Sequence, residues 1–204
     1  FYYITTLNEN YAQPAMPENA QEGIIKGIYK VKTFEAKNDY KVKLLGSGSI
    51  FQEAMKAAEI LSKEYDIKVE IYSVTSYNEL TREAQDLERE NLLNLDTTAK
   101  TPYIEKVLGS DTDSIIISAT DYMKAYSEQL RPYIKGNFKA LGTDGFGRSD
   151  SRANLRKFFE VDTNFIVYTT LAELAINGKI DKKVALEAKN KYAIDTNKIN
   201  PRNA

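Results

Sequence analysis

Six consecutive residues, Ser114-Ile115-Ile116-Ile117-Ser118-Ala119, narrow the folds open to this chain. The run is nearly all apolar, β-branched at its centre and too short to be a buried helix. It reads as a strand covered on both faces, which requires a layer of structure on each side of its sheet. The segments around it supply those layers. Val42–Leu45 is a second short apolar strand, and Gly46-Ser47-Gly48 turns it. Ser49, with Gln52 three residues later, looks like a capping box. Ile50, Ala54, Ala57, Leu61 and Tyr65 recur at helical spacing, so a helix is expected over 50–65. Ile67–Val74 alternates in period two and reads as a strand. Ser76 is placed to cap a polar helix over about 77–91. A helical pattern covers 121–134, a last strand covers 138–141, and from 149 onward the pattern is helical only. Helices are expected over 164–176 and 181–193, divided by Asn177-Gly178. Strands alternating with helices of this length imply βαβ units and a mainly parallel sheet. The expected architecture is three-layer α/β/α with a helical C-terminal end.

The N-terminal part is different. Residues 1–7 mix aromatic and β-branched types and read as a strand. Residues 8–20 include Pro14 and Pro17, which forbid a regular helix or central strand there. Residues 1–20 are therefore expected to be the end of an upstream domain and a linker, in this chain alone either poorly packed or lying in a non-native contact. A domain of residues 21–204 follows, in which Gly23–Phe34 reads as a turn of helix entering a strand. Phe1 opens in the middle of a strand pattern without a charged leader, so an internal cut is expected rather than a signal peptide.

Composition closes several routes to function. The 204 residues contain no cysteine and no histidine. Disulfides, thiolate nucleophiles, histidine-based triads and zinc sites of the Cys/His type are excluded within the chain. Basic and acidic side chains number 28 and 29, with no long basic run, so a nucleic-acid partner is not expected. No stretch approaches the roughly 18 apolar residues of a membrane span, so no membrane partner is expected either. The lack of cysteine fits a reducing compartment.

Four features invite a functional reading. Gly46-Ser47-Gly48 lies between a strand and a helix, but position 51 is Phe51 where a dinucleotide fingerprint needs glycine. It serves either as a tight turn or as an anion seat at a helix start. Leu141–Arg152 (LGTDGFGRSDSR) crowds glycines, aspartates, serines and arginines at the end of a strand. Arg148 and Arg152 could clamp a carboxylate or phosphate, or pair with Asp144 and Asp150 to stiffen the loop. Ser149 or Asp150 is the expected cap of the next helix, and Phe146 the expected apolar anchor. Asp111-Thr112-Asp113 lacks the remainder of a calcium loop and reads as polar surface. Tyr2, Tyr3, Tyr11 and Tyr29, among 14 tyrosines, suit an interface.

The exact strings go further. Tyr3–Tyr11, Pro14–Pro17, Leu44–Ile50, Tyr72–Ser76, Ala119–Lys124, Leu141–Arg152, Phe158–Asp162, Gly178–Lys183 and Ile199–Arg202 run in order along nearly the whole chain. Together they resemble the C-terminal region of homodimeric, bacterial-type pyruvate dehydrogenases, the thiamine-dependent decarboxylating components. The resemblance implies a transketolase-type C-terminal domain with a mixed sheet. For the full enzyme it implies thiamine diphosphate and magnesium, decarboxylation of pyruvate and reductive acetylation of lipoyl groups in the cytoplasm. It also implies three partners: the rest of the chain, the second subunit of a homodimer, and the dihydrolipoyl acetyltransferase component. The family's cofactor and catalytic histidines belong to other domains, so no catalytic, cofactor-binding or metal residue is assigned here. Where the family often has histidine after the Asn-Tyr pair, this chain has Ala12. The expected role is dimerisation and architecture, with the isolated fragment inactive. The alternative is an independent nucleotide- or anion-binding α/β domain at Gly46–Ser49 or Gly142–Arg152.

Overall fold

The computed structural model describes residues 8–204. The strand expected at 1–7, with Tyr2 and Tyr3, lies outside the described residues. A short helix α1 (Gln21–Lys26) leads into β1 (Ile28–Phe34). Then follow β2 (Asn38–Gly46), α2 (Ile50–Tyr65), β3 (Ile67–Val74), α3 (Tyr77–Leu93), α4 (Tyr103–Leu108), β4 (Ile115–Ala119), α5 (Lys124–Glu128) and β5 (Asn137–Leu141). Helices α6 (Arg152–Phe158), α7 (Thr163–Ile176) and α8 (Lys182–Lys191) complete the order.

The strands form one mixed sheet in the order β1-β3-β2-β4-β5. β3, β2, β4 and β5 are parallel, and β1 adds to β3 antiparallel at one edge. The reading of Ser114–Ala119 holds: every residue of β4 is buried. Its side chains alternate between two cores. Ile115 and Ile117 join Leu44, Ile71, Leu61, Val167 and Leu171 on the face covered by α2 and α7. Ile116 joins Leu45, Tyr72, Leu80, Ile104 and Leu130 on the face covered by α3 and α4. The layers are therefore α/β/α.

Several boundaries differ from expectation. β2 begins earlier, at Asn38, through a polar half with an irregular register and Lys41 at φ 57°. Such a stretch gives no apolar signal in the sequence. The helical pattern over 121–134 breaks into α5 and a 3-10 turn, Arg131–Tyr133, because Pro132 has no N–H to continue a helix. α4 was hidden by its length of 6 residues.

Ser76 caps α3 as its position suggests, with Oγ accepting from the Glu79 N–H at 3.1 Å. Ser76→Ala is expected to cost about 1 kcal/mol, the usual loss for a missing N-cap, read as a lower urea midpoint at unchanged slope. Ser49 does not cap α2. Its backbone is already helical and its side chain accepts no amide. The hydroxyl instead donates to Asp121 Oδ2 at 3.3 Å, and Gln52 donates outward to the Ala12 carbonyl at 3.2 Å. The capping box is thus replaced by a carboxylate from the end of β4, which suits the positive end of the helix.

Candidate functional site

The parallel strands end together, and two recesses lie among their carboxyl-terminal loops. β2 leads to a helix on one face of the sheet and β3 to a helix on the other. β2 also has β3 on one side and β4 on the other. This is the switch point at which open α/β sheets hold ligands. One cavity of about 460 Å³ is lined by Ser47–Ser49, Val74–Asn78, Asp121, Tyr122 and Tyr126. A second, of about 420 Å³, is lined by Ile50, Gly145–Arg148, Arg152, Leu155, Arg156, Phe159 and Val161 among others. Ser49 and Asp121 border both.

Beneath the first cavity lies a chain of hydroxyls. Ser127 donates to Ser118 Oγ at 2.7 Å, and Ser118 and Tyr77 share a hydrogen bond of 2.8 Å. Ser47 donates to Thr120 at 2.7 Å, and Thr120 accepts from the Tyr122 N–H at 3.2 Å. Burial pushes the Tyr77 phenol up, so it stays a neutral hydrogen-bonding group. The network fixes the strand ends. It contains no base that titrates near neutrality.

The glycines serve the backbone. A Cβ on Gly46 would lie 2.8 Å from Phe51 Cα, so the strand needs glycine to meet the helix. Gly48 has φ +54° and faces the Asp121 carboxylate. That carboxylate occupies the position where an anion would have to approach the start of α2.

The loop 141–152 departs from its sequence reading in three ways. The cap of α6 is Ser151, accepting from the Asn154 N–H at 3.3 Å, not Ser149 or Asp150. Asp150 instead accepts from the Ser151 N–H and the Asn154 side chain, at 2.6 and 2.8 Å. The arginines do not pair with the loop's aspartates. Asp144 accepts the Lys124 N–H at 2.9 Å, and Arg148 lies over the Phe158 ring, 4.7 Å from its centroid. Arg152 bonds Asn8 and pairs with Glu9 at 3.1 Å. Since α6 starts at Arg152, Arg148 and Arg152 share no helical face. Lastly, Phe146 is not an anchor within this chain: it is 84% exposed.

Sequence reasoning missed Glu53, the buried carboxylate that joins α2 to Arg156 and Thr163. It lies on α2 between Ile50 and Ala57, on the apolar face, which was the available signal. Its carboxylate accepts from the Thr163 N–H at 3.0 Å and Thr163 Oγ1 at 2.6 Å, and pairs with Arg156 at 3.1 Å. Arg156 also donates to Tyr11 Oη at 3.0 Å. Asn8, Glu9, Tyr11 and Ala12 thus contact α2 and α6 through single polar bonds, while residues 8–10 and 12 stay exposed. Tyr11 is drawn into that contact, while Tyr29 lies on edge strand β1, so the two tyrosines go to different places. Asp111 and Asp113 pair with Lys41 and Lys179 before β4, at the other end of the strands. They form a polar surface, as read.

Comparison with known proteins fits this architecture. The chain is 54% identical over 203 residues to the pyruvate dehydrogenase E1 component of Escherichia coli K12, across 99% of this chain and 22% of that protein. It is 48% identical to the corresponding component of Pseudomonas aeruginosa, across 98% and 23%. The chain thus spans about a fifth of the length of these relatives. A transketolase from Pichia stipitis superimposes with TM-score 0.50 and 17% identity, over 77% of this chain and 19% of that one, a likeness of fold. The family model described as the transketolase-like TK C-terminal domain matches residues 27–162, from the edge strand through the loop 141–152. The chain belongs to the transketolase-like C-terminal domain family.

Proposed function

We propose that this chain is the C-terminal, architectural part of a pyruvate dehydrogenase that decarboxylates pyruvate and acetylates lipoyl groups. The supporting observation is 54% identity over 203 residues to such a component. Residues 21–204 form the domain, and residues 1–20 are the end of a preceding domain and its linker. Its partners are the remainder of its own polypeptide, the second subunit of a homodimer and the dihydrolipoyl acetyltransferase component, in the cytoplasm.

The residues at the carboxyl edge do not fit thiamine diphosphate with its magnesium ion. Magnesium held at a diphosphate asks for carboxylate oxygens. Here the first cavity offers a single carboxylate, Asp121, whose Oδ2 is already engaged by the Ser49 hydroxyl. We therefore assign cofactor binding and catalysis to the parts of the enzyme beyond this chain. No helix among the described residues is long and apolar enough to cross a membrane.

The independent nucleotide- or anion-binding reading is weaker, because Asp121 faces the turn at Gly48 that an anion would use. The experiment is turnover. Full-length enzyme with thiamine diphosphate, magnesium and pyruvate is expected to release carbon dioxide, and the 204-residue chain under the same conditions to release none. Turnover by the short chain, or tight calorimetric binding of a nucleotide to it, would overturn the assignment.

A further inference from the structure

Beyond α8 the chain runs past the end of α6 to the loop 141–152, and it is anchored at two points. Lys198 is the first. Its ammonium donates to the carbonyls of Lys157 and Phe158, at 3.1 and 2.8 Å, and pairs with Glu160 at 3.1 Å. A cation is favoured at that carboxyl end of a helix. The second anchor is a 3-10 turn, Pro201–Asn203, in which Asn200 Oδ1 accepts from the Arg202 N–H at 3.0 Å and Pro201 is buried. This turn lies against Gly145, where a Cβ would stand 2.6 Å from the Pro201 carbonyl oxygen and 3.2 Å from Arg202 Cα. Loop and strap also share the Phe158 ring, which has the Arg148 guanidinium 4.7 Å and the Lys198 ammonium 5.9 Å from its centroid.

The loop has little other support. Thr143 and Asp144 are bonded to Tyr122 and Lys124, and Ser151 caps α6. Between them residues 145–149 are exposed and make no hydrogen bond among the described residues. Yet Gly145–Arg148 form one wall of the second cavity. We infer that residues 198–202 are a latch for this wall, with Lys198 as its pin: release of the strap frees the loop, and displacement of the loop frees the strap. The contact at Gly145 is backbone against backbone, so neither side can shift alone without opening it. The turn cannot follow a moving loop without pulling on Lys198 three residues before it. Coupling of this kind is reciprocal, and it goes beyond the proposed activity, since it concerns the shape of the cavity whatever the enzyme turns over.

The test uses variants of the full-length enzyme and two local readouts: tryptic cleavage after Arg148 for the loop, and amide hydrogen exchange of residues 159–161 and 202–203 for the strap and the end of α6. Lys198→Met is expected to speed cleavage after Arg148 about tenfold, the shift in a local opening equilibrium that follows loss of one charge-assisted contact. Lys198→Arg, which keeps the charge and the donors, should behave as wild type. Gly145→Ala is expected to speed exchange at 202–203 and at 159–161 by a similar factor. Gly147→Ala, where a Cβ meets nothing within 4 Å, should change neither. Unchanged exchange of α7 in all variants separates local release from unfolding. Faster exchange at 159–161 in Lys198→Met without faster cleavage after Arg148 would overturn the inference, because the strap would then cap α6 and leave the loop to other contacts. Unchanged exchange at 202–203 in Gly145→Ala would overturn it as well.

Discussion

Replacing Glu53 by alanine is expected to destabilise the fold by about 3 kcal/mol, the scale for breaking a largely buried ion pair by removing one partner. The residue is 7% exposed. Its loss strands the Arg156 guanidinium and both the N–H and the hydroxyl of Thr163. Those groups tie α2 to α6 and to the first residue of α7. The effect also has a pH signature. Burial alone would push the Glu53 carboxyl up, but the Thr163 hydrogen bonds and the Lys56 charge outweigh it and hold the group below its usual 4.5. A depressed carboxyl contributes stability that is present above its unfolded-state value and is lost as pH falls through its folded-state value. The stability gap between wild type and Glu53→Gln should therefore be full at neutral pH and shrink below about 4.5. Asp162, which caps α7, is pushed up by burial and also by the Glu53 charge; it acts in the opposite sense, and part of that opposing effect is lost with the charge in Glu53→Gln. Urea unfolding of the pair from pH 7 down to 3.5 measures this. A gap independent of pH would show that Glu53 is not held as a carboxylate by these partners.

Gly27→Ala is the second large effect, again about 3 kcal/mol. Gly27 ends α1 at φ +107°, and a Cβ there would lie 2.5 Å from the Ser76 carbonyl oxygen and 2.9 Å from Leu80 Cγ. The left-handed backbone alone costs a non-glycine residue about 1–2 kcal/mol, and the clash in a filled site adds about 1–3. The damage spreads because the Gly27 carbonyl accepts from the N–H groups of Thr75 and Ser76, at 2.9 and 3.1 Å. It therefore holds the turn that places the cap of α3. Gly178 is the control, with φ +70° and open space around it, so Gly178→Ala should show the backbone cost without the clash. Equal losses in the two variants would contradict the steric account.

Signals carried by neighbouring residues were legible in the sequence, and signals assembled across the chain were not. The period of 50–65, the apolar run at 114–119 and the Ser76 cap each depend on residues within one turn or one strand, and each appears in the structure. The Ser49 cap failed because Asp121, in the loop after β4, meets the start of α2. The arginines of the loop 141–152 looked paired with its aspartates because those were the nearest charges in sequence. Their actual partners are Asn8, Glu9 and the Phe158 ring. Phe146 was read as an anchor because a glycine-flanked ring is costly to expose, and the structure leaves it 84% exposed. The resemblance of the strings fixed the family more sharply than any motif did, because it drew on many positions at once.

The antiparallel edge also has a kinetic consequence. β1 is made before β2 but pairs only with β3, through Ile28 with Val74 and Phe34 with Val69. Its partner does not exist until β2 and α2 have been synthesised. The parallel unit β2-α2-β3 closes over a shorter stretch and can collapse first, with β1 zipping onto its open side afterwards. Of the five described strands, the one synthesised first is thus among the last to be seated.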